Sequence, residues 1–359
     1  MTKMTETELN ALLAGITPAN EAARAAAHAH WGNLAKPLGG LGRLETMLED
    51  AAALTGSAEL DLSRRVVVVL CADNGVVAEG VTQTGSEVTA TVAGNMAAGG
   101  ATVCKMAKIA GADVFPVDIG MLRPVEGVRD VHVLRGTGNF FRTRAMSRED
   151  CERAILAGAT LVKELHEKGY SMIATGEMGI GNTTTASAVA CALLGAEPRL
   201  LTGKGAGLSD AGLQRKIEVI EQSLARLRPD ANDAIDVLSK VGGLDIAGMC
   251  GAFIGGAEAG IPVLIDGVIS AVAALCAACS STPAATEKDT LVVGLDDSFP
   301  PMGFRDDESN IVGFDVDLAK EVASRLGMEI ELKPIDWTAN VMELNSGSVD
   351  CLWNGLSVT

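Results

Sequence analysis

The run GEMGIGNTTTA at 176–186 combines residue types that suit a phosphate group. Gly179 and Gly181 let the backbone approach a ligand closely. Asn182, Thr183 and Thr184 then open an Ala-rich helix, whose first N–H groups and dipole favour an anion. The pattern is neither a Walker loop nor GxGxxG. Ordinary capping of the helix by Asn182 or Thr183 explains the same residues equally well.

Two charged residues near this run add to the hypothesis of a binding site. Glu177 would stand beside the phosphate, which makes electrostatic sense if the ligand also has a cationic part. A second glycine-rich loop, GKGAG at 203–207, precedes a helix that contains Arg215 and Lys216. A lysine on a helix is most commonly solvated, and that interpretation is favoured for Lys216 taken alone.

The elements that must position these residues follow an alternating pattern typical of an α/β fold. Short, nearly continuous apolar runs predict buried parallel strands at 64–73, 112–120, 170–176 and 262–267. Helix-length stretches lie between them, at 86–110 and at 147–168 with Ser147 as N-cap. Ligands bind beyond the carboxyl ends of such strands. Three of these ends bear a carboxylate, so we expect Asp73, Glu177 and Asp266 to face one cleft.

Composition excludes several classes of function. The 359 residues are 48% hydrophobic and have a net charge of −17, which disfavours nucleic acid and anionic membrane surfaces as partners. The N-terminus lacks a secretory pattern, and the apolar residues 268–279 are too few to span a bilayer. Eight cysteines, mostly within apolar runs, indicate buried thiols in a reducing cytoplasm. The CxxC at 276–279 has no second pair, so we expect no metal site there.

The composition changes near residue 280. Residues 280–359 contain 15 acids and 5 bases, a net charge of −10, whereas the first 279 residues contain 31 acids and 24 bases. A Ser/Thr/Pro/Ala stretch separates the two parts. We therefore predict a domain over 1–278, a linker over 279–290 and a partial lobe over 291–359.

The first part resembles the nicotinate-nucleotide–dimethylbenzimidazole phosphoribosyltransferases. Its motifs occur in family order over roughly residues 5–278. They include LAKPLGGLGRLE (34–45), CADNGVVAEGV (71–81), EVTATVAGNM (87–96), RGTGN (135–139), GEMGIGNTTTA (176–186), DAIDVLSKVGGLDIAGMCGAFIGGA (233–257) and GIPVLIDGVISAVAALCAA (260–278). The resemblance implies a Rossmann-like parallel sheet covered by helices, with a small helical N-terminal part, in a homodimer.

This resemblance also implies an activity. A phosphoribosyl group would pass from nicotinate mononucleotide to 5,6-dimethylbenzimidazole, giving α-ribazole 5′-phosphate for the lower ligand of cobalamin. Neither a cofactor nor a metal is required, because the pyridinium glycoside is already cationic and its nicotinate leaves without protonation. The sugar carbon C1′ then develops oxocarbenium character, as in glycoside hydrolysis. The attacking benzimidazole must lose a proton, which requires a carboxylate base.

Individual residues take their roles from the resemblance. Glu177 matches an acid that faces the cationic centre, and Lys216 matches the active-site lysine. Residues 179–184 match the phosphate region, so Gly179, Gly181, Asn182, Thr183 and Thr184 would bind phosphate. Thr84 and Asp73 would contact the benzimidazole. Asn74 departs from the family's usual Asp-His-Gly pattern.

The family pattern stops at position 278, before a Ser-His segment and the Arg-Leu-Gly-Glu-Gly segment that carries the catalytic base. Residues 291–359 resemble the opening third of a polar amino-acid-binding protein of a transport system. They predict a strand at 291–296, a helix at 314–326 with Leu318, Val322 and Leu326 on one face, and a strand at 329–335. A transferase with impaired turnover is the favoured interpretation, and an amino-acid-binding module and a non-catalytic chimera are the alternatives.

Overall fold

The structure is a computed structural model that describes residues 2–37, 39–281, 290–326, 328–337, 343–344 and 348–353. The chain forms two compact units, Met1–Ser281 and Thr282–Thr359. Most of the predicted linker, residues 282–289, lies outside the described residues. Each unit is therefore described by itself.

The first unit begins with three helices. They are α1 (Thr2–Ala14), α2 (Glu21–Gly32) and α3 (Arg43–Thr55). Helices α2 and α3 pack against each other as a hairpin, while α1 packs against a helix of the main body that is described below. This is the small helical N-terminal part that the resemblance implies.

The core of the first unit is a five-stranded parallel sheet. Its strands are β1 (Arg65–Ala72), β2 (Ala112–Gly120), β3 (Arg129–Asp130), β4 (Met172–Met178) and β5 (Val263–Leu264). Their order across the sheet is β3-β2-β1-β4-β5, and every neighbouring pair is parallel. The central strand β1 is buried from Val66 onward except for Val67, as its run of valines predicts. The predicted α/β fold class is confirmed.

Helices cover the sheet and supply most of the core. They are α4 (Glu87–Ala97), α5 (Thr102–Ile109), α6 (Arg148–Glu167), α7 (Asn182–Leu194), α8 (Pro198–Leu201), α9 (Asp210–Leu227), α10 (Ala234–Val241), α11 (Leu244–Ala259) and α12 (Gly267–Ser281). Ser147 caps α6 as predicted, since its hydroxyl accepts the Asp150 N–H. None of the helices, within the part of the chain that the structure describes, is long and apolar enough to cross a membrane.

Two predicted elements need correction. The stretch 86–110 forms two helices rather than one, because α4 ends at Ala97 and Gly99 adopts a left-handed conformation with φ +71° before α5 begins. The strand predicted over 262–267 is reduced to Val263–Leu264. Both errors arise where apolar composition continues through a turn.

Helices α6 and α11 approach each other so closely that their backbones touch. A Cβ atom at Gly251 would lie 1.8 Å from the Ile155 carbonyl oxygen, and one at Gly158 would lie 1.9 Å from the Gly248 oxygen. Only hydrogen side chains fit at these positions. The small residues therefore fix the separation of the two helices, and with it the position of α11 over the sheet.

The second unit contains two small sheets and one helix. Strands β6 (Thr290–Leu295), β10 (Glu329–Pro334) and β11 (Cys351–Leu352) form a parallel sheet, and β7 (Ser298–Phe299), β8 (Gly303–Arg305) and β9 (Ile311–Val312) form an antiparallel one. Helix α13 (Phe314–Leu326) has the predicted bounds. The predicted apolar face is not the most buried one. The helix buries Val316, Ala319 and Ala323, whereas Leu318 is exposed, Val322 is partly buried and the side chain of Leu326 lies outside those described.

Candidate functional site

A cleft opens beyond the carboxyl ends of β1 and β4. Its volume is about 120 Å³. It is lined by the loop after β1, by the β4–α7 loop and by the loop before α9: Val81, Thr82, Gln83, Thr84, Gly179, Ile180, Gly181, Asn182, Thr183, Lys204, Gly205, Ala206 and Leu208. Four of the five predicted phosphate residues and Thr84 are therefore at one site.

Two glycines bring the β4–α7 loop close to the end of β1. A Cβ atom at Gly179 would lie 2.5 Å from the Ala72 carbonyl oxygen, so no larger residue fits without movement. Gly181 is the N-cap of α7 and has a left-handed φ of +94°, which glycine adopts without strain. Capping by Asn182 or Thr183 was therefore a wrong alternative, and both side chains are left for other contacts.

Asn182 joins two carboxyl groups. Its Nδ2 donates a hydrogen bond to Glu177 Oε2 and a second one, of 3.1 Å, to Asp245 Oδ2. Glu177 lies at the end of β4, opposite Leu70 of β1, and Asp245 lies in the first turn of α11. The three residues form a polar cluster, which we call the carboxylate cluster, at the edge of an otherwise apolar core.

Burial makes ionisation of the carboxylate cluster costly. Desolvation, followed by the negative charge of Glu177, raises the pKa of Asp245 to about 7. Desolvation also raises the pKa of Glu177, the Asn182 amide opposes this change, and the charge of Asp266 adds to it. Asp266, another of the strand-end carboxylates, therefore influences Glu177 by raising its pKa.

Lys216 supplies the opposite charge on the other side of Thr183. It is only 1% exposed, so the expectation of a solvated lysine was wrong. Its Nζ donates to Thr183 Oγ1 at 2.8 Å and to the Gly203 oxygen at 3.2 Å. Burial lowers its pKa from 10.5 to about 8. An ammonium has three donors, which leaves one for a further acceptor.

The rim of the cleft is closed by a side-chain contact. The amide of Gln83 donates to the Gly207 carbonyl oxygen and so links the loop after β1 to the loop before α9. Thr84, next to Gln83, is exposed and lines the opening.

Four predicted site residues lie outside the cleft lining: Glu177 and Lys216, which reach it through Asn182 and Thr183, and Asp73 and Thr184. None of the three strand-end carboxylates, Asp73, Glu177 and Asp266, is among the residues that line the cleft, so the expectation that they face it together was wrong. Asp73 accepts the Leu122 N–H at 2.8 Å, and burial raises its pKa while this N–H and the Thr89 hydroxyl lower it. Thr184 is completely buried, and its Oγ1 has no hydrogen-bond partner among the described residues.

Sequence reasoning did not select Asp245. Helix α11 is mostly apolar and twelve of its residues are buried, so a carboxylate in its first turn stands out against that background. An acid at the start of a helix is common and stabilises the dipole, which hides it among ordinary helix starts. The sequence signal that could have identified Asp245 is an acidic residue at the start of a long apolar helix, where it has to be buried.

The first unit is similar to proteins of known function. The phosphoribosyltransferase family matches residues 16–289, about three quarters of the chain. This chain belongs to that family. A nicotinate-nucleotide–dimethylbenzimidazole phosphoribosyltransferase of Acetivibrio thermocellus is 47% identical over 247 residues, which are 68% of this chain and 70% of the relative. The enzyme of the same name from a Roseiflexus strain is 44% identical over 272 residues, or 75% and 77% of the two chains.

Solved structures agree with the family. A crystal structure of CobT from Thermus thermophilus has a TM-score of 0.67 and 38% identity, and the match covers 72% of this chain and 78% of that one. Residues 291–359 instead match the bacterial extracellular solute-binding proteins, family 3. The likeness to phosphoribosyltransferases therefore covers the first unit, which contains the cleft.

Proposed function

We propose that this chain transfers the phosphoribosyl group of nicotinate mononucleotide to 5,6-dimethylbenzimidazole, giving α-ribazole 5′-phosphate and nicotinate. The relatives carry the name of this activity and share most of the first unit. One observation supports the proposal most strongly. Glu177 and Lys216 contact the adjacent residues Asn182 and Thr183, so an acid and a base flank the start of α7 directly behind the cleft lining.

The cleft suits a ligand that has both an anionic and a cationic end. The phosphate would bind at Gly179, Gly181, Asn182 and Thr183, with Thr184 supporting the turn behind them. The helix dipole and the free donor of Lys216 both favour the negative charge. Glu177 would face the pyridinium and then the oxocarbenium-like C1′, where a carboxylate stabilises developing positive charge. Thr84 and Asp73 would lie on the side of the benzimidazole.

We propose that turnover is slow. No residue after 278 corresponds to the glutamate that the family uses as base, so the proton of the attacking benzimidazole would leave to solvent. Absence of a general base typically costs about 10²–10⁴-fold in rate. The expected behaviour is nucleotide binding with weak catalysis.

The organisation of the chain is also part of the proposal. Residues 1–278 would form the transferase domain, 279–290 the linker and 291–359 a lobe like that of a solute-binding protein. A homodimer in the cytoplasm is consistent with the resemblance and with the eight cysteines, all of which are free thiols.

Thermal melting with nicotinate mononucleotide tests the proposal. A ligand that binds only the folded state, at 100 times its Kd, stabilises it by about 2.7 kcal/mol, which would raise Tm by about 5 °C. Product formation with dimethylbenzimidazole, followed by chromatography, then measures turnover. No change in Tm at millimolar nucleotide would contradict the proposal.

An amino-acid-binding module is a second candidate, favoured by the family match of residues 291–359. Calorimetry with arginine, glutamine and glutamate distinguishes the two. Heat from any of these amino acids, with none from the nucleotide, would favour the second candidate.

A further inference from the structure

Asp245 is a buried carboxyl group to which the proposed reaction assigns no role. It is 0% exposed, and its contacts are the Asn182 amide at Oδ2 and the Ile246 N–H, 3.0 Å from Oδ1. No lysine, arginine or histidine among the described residues forms an ion pair with it. An unpaired buried carboxylate is costly, so a neutral acid is the expected state.

Asn74 provides an independent observation on the same point. Its side chain is 1% exposed, and its Nδ2 donates to the Ile180 oxygen at 3.4 Å, whereas Oδ1 has no partner within the described part of the chain. A Cβ atom at Gly243 would lie 2.7 Å from Asn74 Oδ1 and 2.4 Å from Asp245 Oδ1. Two buried acceptor oxygens thus lie beside the same glycine. A proton on one of them would satisfy the other.

We propose that Asp245 is a protonated positioning residue for Glu177. Its Oδ1–H donates to Asn74 Oδ1, and its Oδ2 accepts one N–H of the Asn182 amide, whose other N–H donates to Glu177. Both amide hydrogens of Asn182 are then in use, which fixes the side chain against rotation. Glu177 carries the only negative charge of the carboxylate cluster and presents it to the cleft. The assignment to Glu177 rests on the proposed function, whereas the protonation does not.

The charges around Asp245 agree with this state. Glu177 faces it from β4 and Asp266 adds negative charge on Glu177, while from β1 the Cys71 thiol senses both Asp245 and Glu177. All of these neighbours disfavour a second negative charge. The pKa of Asp245, raised to about 7 by burial and by Glu177, is consistent with a proton held below about pH 7.

Replacement by asparagine and by alanine separates a neutral from a charged role. In Asp245→Asn the carbonyl oxygen can accept from Asn182 and the amide can donate to Asn74, as the protonated acid does, and only the Ile246 N–H loses its acceptor. We expect its affinity for nicotinate mononucleotide, measured by calorimetry at pH 6.5, to stay within about twofold of that of the natural chain. Asp245→Ala should weaken binding about tenfold, because the Asn182 amide loses one acceptor. Equal losses in the two variants would overturn the proposal.

A melting series tests the proton without any ligand. The folded acid binds a proton up to about pH 7, whereas the unfolded one releases it near pH 4, so the natural chain loses stability between these values. Asp245→Asn has no such loss. Its Tm relative to the natural chain should therefore rise by about 3 °C or more from pH 4.5 to 7.5 and stay constant above pH 8.

Glu152→Gln is the matched control for the melting series. Glu152 is 2% exposed but pairs with Arg148 on α6, away from the carboxylate cluster. Its Tm difference from the natural chain should show no such rise over the same range. A pH-independent difference for Asp245→Asn would show that Asp245 is ionised and would refute the protonation. If the natural chain binds no nucleotide, the proposed function fails while this series still decides the proton.

Discussion

The two sides of the cleft carry opposite charges and are built differently. On the carboxylate side, Glu177 and Asp245 share the Asn182 amide, so two acids lie in one buried cluster. On the lysine side, Lys216 stands alone and contacts only neutral oxygens, those of Thr183 and Gly203, among the described residues. Burial raises the pKa of both acids and lowers that of the lysine. Each side is driven toward its neutral form.

This difference indicates what the ligand supplies. A phosphate beside Lys216 would favour the charged ammonium, and a cation beside Glu177 would favour the carboxylate. A ligand with both charges therefore gains binding free energy from both groups, whereas a ligand with a single charge gains it from one group only.

Glu177→Gln should have the largest effect. It removes the negative charge that faces the cationic centre but keeps an acceptor oxygen, so we expect single-turnover product formation to fall about 100-fold. Glu164→Gln, which removes a surface partner of Arg129, is the control and should leave the rate unchanged. A loss below about threefold would mean that a residue other than Glu177 stabilises the positive charge.

Lys216→Met should act on the other side of the cleft. Loss of a charge-assisted hydrogen bond weakens nucleotide binding by about 10- to 100-fold in calorimetry. The same variant should unfold at an equal or higher temperature, because an unpaired buried cation is replaced by an apolar side chain of similar length. Lys105→Met, an exposed lysine of α5, should change neither quantity. Unchanged affinity in Lys216→Met would place the phosphate elsewhere.

Raising the pH should weaken nucleotide binding less than Lys216→Met does. Lys216 has a pKa lowered to about 8, so it loses its proton as the pH rises through 8. Affinity for the nucleotide should then fall by up to about tenfold between pH 8 and 9. Lys216→Met should bind weakly at every pH and show no such fall. If both chains show the same profile, the titrating group is not this lysine.

Gly181→Ala tests the helix start that the two sides share. A Cβ atom there would lie 2.9 Å from Val77 Cγ2 at a φ of +94°, so we expect a loss of about 2 kcal/mol in the free energy of unfolding. Gly195→Ala, at the other end of α7, has φ +61° and open space, and should lose only about 1 kcal/mol. Equal losses would mean that the contact with Val77 relaxes freely.

Sequence alone predicts the sheet because its signal is strong. The valines of β1 and the run 112–120 form buried strands with almost the predicted bounds, and Ser147 caps α6 as expected. The break at Gly99 was missed because alanine-rich sequence continues on both sides. Local composition specifies the type of an element better than its end.

The site was only partly predictable for a related reason. Glu177, Asn182 and Thr183 stand in one motif, so their proximity follows from the chain itself. The burial of Lys216 and the approach of Asp245 depend on how α9 and α11 pack against α7, which no local pattern encodes. Long-range packing converts an ordinary helical lysine and an ordinary helix-start acid into strongly perturbed groups.

The glycine contact between α6 and α11 extends the reach of the site beyond its own residues. Because α11 has no freedom to slide on α6, its first turn is held in register with the strand ends, and Asp245 is delivered to Asn182 without adjustment. A methyl group added at Gly251, about two helical turns from Asp245, would displace the whole of helix α11 and Asp245 with it. The glycine contact between α6 and α11 should thus tolerate mutation least, although no ligand touches it.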